Sequence, residues 1–316
     1  MRALNVPEAG AAPVVSDLPI PQVADGTVLV RVVAAALNAV DNALASGMMA
    51  EMMPHAYPLV IGRDAAGIVE AVGAGVDHVA VGDAVIGNIS LIPPIQAGTV
   101  AEYALFPAAA VTAKPAALDF VSAAALPLAG AAAHASVEAI EARAGQTVLV
   151  TGATGGVGSY AVQLLAARGV TVVATGAPAD ADRLTALGAT TVVDHTAATP
   201  IADQVAATCP DGVDALIDLV SYSPDGLALS AVRKGGRVAS TLGAADEQTL
   251  AGAGLTGANV MAAPVREIVG PLAAQAAAGT LKIDVTTVLP LDRAAEGLAT
   301  IAAGAARGKI AVRIGD

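Results

Sequence analysis

Apolar and polar positions divide the chain into two regimes. Up to about residue 120 the apolar residues come in short β-like runs, such as Thr27 to Ala35 and Gly67 to Val72. Turn signals separate the runs: Ala24-Asp25-Gly26, Gly73-Ala74-Gly75 and Gly82-Asp83. This spacing predicts a β-barrel-like domain with few helices. From about Asp119 onward, helical and strand patterns alternate. Strands are predicted at 147–151, 170–175, 190–194, 213–219 and 236–241, with a sixth near Leu255 to Ala262. Helical stretches fill the intervals, which predicts a doubly wound parallel sheet. The tail reads as helix (about 265–278), strand (283–288), helix (291–304) and strand (309–314), and these elements are expected to return to the first domain. The predicted fold class is α/β. A β-rich domain takes residues 1–121 and 263–316, and a parallel-sheet domain takes 122–262.

Thr147 to Thr175, TVLVTGATGGVGSYAVQLLAARGVTVVAT, carries the most specific pattern. Val148 to Val150 form a continuous apolar run, as in a strand buried on both faces. The glycines follow as Gly152-x-x-Gly155-x-x-Gly158. Then Val157, Tyr160, Ala161, Leu164 and Leu165 recur on one face of a helix, which Gly169 ends. Side chains in the turn would block a pyrophosphate, and a helix N-terminus supplies free N–H groups and a positive dipole end. A glycine-rich turn alone is weak evidence. Between two apolar strands it predicts a dinucleotide site, with Thr154, Gly155, Gly156 and Val157 at the phosphates.

Composition narrows the picture. Of 316 residues 55% are hydrophobic and mean hydropathy is +0.66, which looks membrane-like until the runs are read. Phe120 to Val137, among the longest uncharged stretches, is mostly alanine and is broken by Pro127, Gly130 and His134. With no signal-like start in MRALNVPEAG, a cytoplasmic protein is expected. The net charge of −12 disfavours nucleic acid and anionic membranes as partners. Cys209 is the only cysteine, so an intramolecular disulfide and a Cys-rich zinc lobe are excluded.

The chain resembles the zinc-independent, zeta-crystallin-like quinone oxidoreductases of the medium-chain dehydrogenase/reductase superfamily. The matching segments include LNAVDNALASG (37–47), PLVIGRDAAGIVEAVGAGVDHVAVGDAV (58–85), GTVAEYALFPA (98–108), ALPLAG (125–130), VLVTGATGGVGSYAVQLLAARG (148–169), KGGRVAS (234–240) and ARGKIAVRI (306–314). Together they cover nearly the whole chain. The resemblance implies a GroES-like catalytic domain, a Rossmann cofactor domain and hydride transfer from NADPH to a quinone or an α,β-unsaturated carbonyl. It also implies a homodimer. Where zinc-dependent relatives open their metal site with Cys and a His-Glu pair, this chain has Asn38 and Arg63-Asp64. No metal is therefore expected. Without a Lewis acid nothing lowers an alcohol's pKa, whereas adding hydride to a conjugated acceptor puts charge on an oxygen that donors can stabilise.

The same resemblance puts Asn38 beside the nicotinamide and the substrate; helix capping is the competing role and is favoured for the neighbouring Asp41. Tyr57 is a candidate donor to the substrate oxygen, or equally a structural tyrosine. Asp64 is expected in a structural ion pair. Ala132 stands where many relatives have a threonine at the ring, and His134 is expected to be structural. Strand 170–175 ends at Thr175-Gly176 without the acid that selects NADH, so NADPH is preferred and NADH is not excluded. Thr175 offers a hydrogen bond to a 2′-phosphate; Asp180 has the wrong sign, and Arg183 is the compensating cation. The resemblance places Ser221 and Gly243 in cofactor-facing loops, with ordinary loop chemistry as the alternative, and His195 at the adenosine end, where relatives often have a tyrosine. Lys309 could reach the cofactor from the C-terminal strand, but a solvated surface position is expected. The methionines of SGMMAEMMPHAY (46–57) suit an adaptable apolar pocket or plain packing.

Two alternatives stay open on sequence. Thr151-Gly152-x-x-x-Gly156-x-Gly158 also fits short-chain dehydrogenases or epimerases. Against this, the motif begins near residue 150, and none of Tyr57, Tyr103, Tyr160 and Tyr222 has a lysine four residues later. A non-catalytic NADPH-binding protein is the other.

Overall fold

The computed structural model describes residues 1–315. They form two compact units, residues 1–128 with 264 onward, and Ala129–Ala263.

The first unit opens with β1 (Arg2–Val6), β2 (Val14–Asp17), β3 (Thr27–Leu37), α1 (Ala39–Ala45), β4 (Leu59–Val60), β5 (Asp64–Val72), β6 (Ala84–Asn88), β7 (Tyr103–Pro107), β8 (Val111–Ala113) and α2 (Phe120–Ala124). Helix α3 (Pro127–Ala139) leads into the second unit. There follow β9 (Thr147–Thr151), α4 (Gly156–Ala167), β10 (Thr171–Gly176), α5 (Ala181–Ala186), β11 (Thr191–Asp194), α6 (Ile201–Thr208), β12 (Val213–Asp218), β13 (Val232–Ser240), α7 (Glu247–Gly252) and β14 (Thr256–Asn259). The tail supplies α8 (Arg266–Ala277), β15 (Val285–Pro290), α9 (Ala294–Ala302) and β16 (Lys309–Arg313).

In the first unit β2-β1-β4 form a small sheet, and β15-β16-β3-β5-β6-β8 form a larger one to which β7 adds by pairing with β3. The tail lies in the first unit: β16 is antiparallel to β3, with Ile310 opposite Leu37. Alternation in β3 sends Val28, Val30 and Val32 into a core shared with Leu4, Ile61 and Phe106. Gly87 is small because the Phe106 ring lies against it; a Cβ there would sit 2.8 Å from the ring.

The second unit is a six-stranded parallel sheet in the order β11-β10-β9-β12-β13-β14. The order reverses between β10-β9 and β12, the topological switch at which open α/β sheets bind ligands beyond the strand C-termini. Val148, Leu149 and Val150 of β9 are fully buried between neighbours on both sides, which explains the continuous apolar run. Strand starts and ends lie within a few residues of those expected. The largest difference is β13, which begins at Val232, four residues before the pattern suggests.

Candidate active site

Beyond the C-terminal end of β9, Gly152, Gly155 and Gly158 differ in what the fold demands of them. Gly152 has φ +71°, the left-handed region that side chains disfavour, and a Cβ would meet Val220 at 2.8 Å. Gly158 lets α4 approach the turn: a Cβ would lie 2.3 Å from the Gly152 carbonyl oxygen and 2.5 Å from the Ala153 Cα. Gly155 is needed for neither. Its φ is −78°, and a Cβ would meet only the Gly152 oxygen, at 3.4 Å. It is the N-cap of α4, and no side chain caps this helix. The fold leaves both the space above Gly155 and the first-turn N–H groups of Gly156 and Val157 to something else.

The strand ends around this turn are tied together. The Thr175 hydroxyl accepts from the Gly152 N–H at 3.0 Å. Thr175 is buried, so it fixes the turn to β10. Gly176 makes room for Leu184, whose Cδ1 would be 2.6 Å from a Cβ. Both ω nitrogens of Arg183 donate to the Thr154 carbonyl at 3.2 Å, so its guanidinium lies against the turn and does not extend into solvent. The Asp180 side chain is buried and turned toward its own loop, 3.4 Å from the Ala177 N–H. His195 is exposed just after β11. Gly243, with φ +89°, is exposed after β13, with open space where a Cβ would be. Ala132 is buried and its carbonyl accepts from Ser136; His134 is half-buried.

Asp218 is a site residue the sequence reading overlooked. It is fully buried at the end of β12. It accepts from the Thr151 hydroxyl at 2.6 Å and from the Ser221 hydroxyl and N–H at 3.0 and 2.8 Å. It therefore holds the loop after β12 to the end of β9. The available signal was an acid closing the apolar run Ala215-Leu216-Ile217.

In the first unit three strand ends converge. Asp64 begins β5, opposite Ala36 of β3 and Asn88 of β6. Lys309 begins β16, beside the end of β3. Asn38, which follows β3, donates from Nδ2 to the Asp64 Oδ2 at 3.0 Å and accepts at Oδ1 from the Lys309 Nζ at 2.5 Å. Lys309 also donates to the Leu37 carbonyl at 3.0 Å and lies 4.0 Å from the Asp64 carboxylate. The other Asp64 oxygen accepts from Asn88 Nδ2 at 2.7 Å and the Leu128 N–H at 3.1 Å. Asp64 has the expected structural ion pair. Lys309 is a correction: it is 3% exposed, because the β16 register sets it against the network and not toward solvent.

Asp41 plays its expected capping part by accepting from the Asn38 N–H at 2.7 Å. The Asn38 side chain is not used for capping and turns to Asp64 and Lys309. The Arg63 Nε lies 4.0 Å from the Asp41 Oδ1, and both atoms are buried without a hydrogen bond. Burial pushes the Asp41 carboxyl up to about 6 against the pull of Arg63. Burial likewise raises Asp64, opposed first by Lys309, and lowers Lys309, opposed first by Asp64. Tyr57 is half-buried against the core and edge-on to His55, with ring centroids 6.3 Å apart; it takes no part in the hydrogen bonds of the Asn38 network.

Among the described residues no group of three or more His, Cys, Asp or Glu is placed to hold a metal ion, and no helix is long and apolar enough to cross a membrane.

Comparison with known proteins agrees with this architecture. Residues 24–116 match the family described as alcohol dehydrogenase GroES-like domain, and residues 187–312 the family described as zinc-binding dehydrogenase. A chloroplastic NADPH-dependent alkenal/one oxidoreductase of Arabidopsis thaliana is 34% identical over 72% of this chain, which spans 58% of that relative's length. The quinone oxidoreductase of Rattus norvegicus is 34% identical over 75% of this chain and 72% of its own. A crystal structure of an NAD-dependent alcohol dehydrogenase superposes with a TM-score of 0.90 at 30% identity, covering 100% of both chains. With a GroES-like segment, a parallel dinucleotide-type sheet and this extent of identity, the chain belongs to the quinone oxidoreductase family of the medium-chain dehydrogenase/reductase superfamily.

Proposed function

We propose that this protein is a metal-free, NADPH-dependent reductase of quinones or α,β-unsaturated carbonyl compounds. The observation that carries the proposal is Gly155, a glycine the fold does not require, at an uncapped helix N-terminus beside the sheet's switch point. A bound NADPH would supply the hydride. The N–H groups of Gly156 and Val157, with Thr154 and Gly155, would receive its pyrophosphate. Arg183, lying against the turn, would meet the 2′-phosphate. Thr175 and Gly176 shape that end, and His195, Ser221 and Gly243 lie on loops that would flank the cofactor. The alkenal/one reductase relative is NADPH-dependent by name, whereas the structural neighbour is NAD-dependent by name. The absence of an acid at Thr175-Gly176 and the position of Arg183 favour NADPH.

In the first unit the Asn38 carboxamide is the donor proposed for the substrate oxygen, and the Tyr57 hydroxyl is proposed to supply a proton. A stabilised oxygen is what conjugate reduction needs. Alcohol oxidation needs a group that lowers a hydroxyl pKa. Of the residues at the zinc-ligand positions, Asn38 and Asp64 are instead bound to each other and to Lys309 and Asn88, and Arg63, beside Asp41, donates to the Val60 carbonyl. Strand β14, with four exposed residues at the edge of its sheet, is a suitable surface for the homodimer that we propose acts in the cytoplasm.

The test is NADPH oxidation against a panel of quinones, enones and enoyl thioesters, with NADH in parallel and with metal analysis of the active protein. Turnover of a quinone or enone, unchanged by chelation, is expected. No turnover of any member, or stoichiometric zinc with activity lost on chelation, would overturn the proposal.

A further inference from the structure

Asn38 is held at both ends by groups of opposite chemistry. Its Oδ1 receives the Lys309 ammonium at 2.5 Å, and its Nδ2 faces the Asp64 carboxylate at 3.0 Å. An ammonium only donates and an ionised carboxylate only accepts, so a single orientation of the amide satisfies both. Turning it over would set N–H against ammonium and oxygen against carboxylate, with both partners buried. The partners are themselves fixed. Lys309 is anchored on the Leu37 carbonyl, and Asp64 on Asn88 and the Leu128 N–H. Of the side chains Asn38, Asp64 and Lys309, Asn38 alone is half-buried. One of its two N–H groups is spent on Asp64. Because the amide is planar, the direction of the second is set by the first.

We infer that Lys309 is a positioning residue: with Asp64 it locks the Asn38 carboxamide so that its second N–H is a preset hydrogen-bond donor for the substrate's oxygen. The lock rests on the reading of Asn38 given above. The ammonium on Oδ1 also draws electron density from the amide and strengthens its N–H groups as donors. When hydride reaches a conjugated acceptor, negative charge gathers on the oxygen. A donor already aimed there costs no reorganisation at that moment. The internal cation thus does through an amide part of what a metal does directly.

The test uses full-length protein labelled at asparagine, with the Asn38 side-chain signals assigned by their loss in Asn38→Ala. In the wild type the amide proton held by Asp64 should exchange slowly with solvent. Exchange as fast as that of free asparagine would overturn the lock at once. Lys309→Met removes the ammonium but leaves Asp64 unpaired, so the charge-neutral Lys309→Met/Asp64→Asn is measured beside it, and either folded variant serves. Exchange at Asn38 should accelerate roughly tenfold or more. In NADPH-dependent turnover, Asn38→Ala should lose roughly a hundredfold in kcat. Lys309→Met should lose much of the same factor, with KM for NADPH unmoved, and should add nothing to Asn38→Ala. Unchanged exchange, or losses that multiply, would overturn the inference. Inactivity of the wild type on every acceptor would sink the functional reading instead, leaving the exchange measurement to decide the lock.

Discussion

Two alanine substitutions three residues apart should separate the cofactor's demands from those of the fold. At Gly158 a Cβ would lie 2.3 Å from the Gly152 oxygen and 2.5 Å from the Ala153 Cα, where ordinary contact begins at 3.4 Å. The N-terminus of α4 must withdraw by about 1 Å, and overpacking of this kind costs about 1–3 kcal/mol. At Gly155 the same Cβ makes an ordinary 3.4 Å contact at a φ of −78° that any residue adopts. Exchanging a glycine N-cap for alanine costs about 1 kcal/mol at most. Restricting the unfolded chain returns about 0.4–1 kcal/mol. Gly155→Ala should therefore unfold with nearly the wild-type midpoint, and Gly158→Ala well below it. NADPH binding should respond differently. A methyl group over the helix N-terminus costs Gly155→Ala one or more charge-assisted hydrogen bonds to the pyrophosphate, each worth about 1.5–3 kcal/mol. That raises Kd by about ten- to a hundredfold. Urea unfolding of the free protein and calorimetric titration with NADPH read the two effects. Wild-type affinity in Gly155→Ala, or a loss of stability equal to that of Gly158→Ala, would refute the assignment of Gly155 to the cofactor.

Two further outcomes follow from the same geometry. Arg183→Ala should lower kcat/KM for NADPH by about ten- to a hundredfold, a charge-assisted contact of about 1.5–3 kcal/mol, and leave NADH within a factor of about three; equal losses with both cofactors would remove Arg183 from the 2′-phosphate. Asp41 carries a folded pKa of about 6 against an ordinary 3.8, so the native state holds its proton more tightly and stability falls as pH rises from 4 to 6. Asp41→Asn abolishes that slope and should gain on the wild type by up to about 3 kcal/mol between pH 4 and pH 7; parallel stability curves in urea would show that burial does not dominate at this carboxyl.

Local pattern sufficed for much of this protein. Adjacent residues alone decide that Val148 to Val150 form a strand, that glycines follow, and that Tyr160, Ala161, Leu164 and Leu165 share a buried face. Their periodicity and backbone freedom are short-range properties, so the parallel sheet and the glycine turn after its first strand were legible before any contact was known. Composition likewise excluded a disulfide and a cysteine zinc lobe. Gly152, Gly155 and Gly158, alike in sequence, differ in the folded chain: a φ of +71° and Val220 at Gly152, the Gly152 carbonyl pressed close at Gly158, and one ordinary contact at Gly155. Asp180 and Arg183 are three residues apart and opposite in charge, and sequence cannot say that Arg183 reaches the Thr154 carbonyl. Lys309 shows the limit most clearly. It is 271 residues from Asn38, and a lysine at a strand start is ordinarily solvated. Only the register of β16 on β3, with Ile310 opposite Leu37, brings its ammonium to Asn38 and Asp64. Burial, charge pairing and side-chain orientation are long-range consequences of strand order, and only the folded chain decided them.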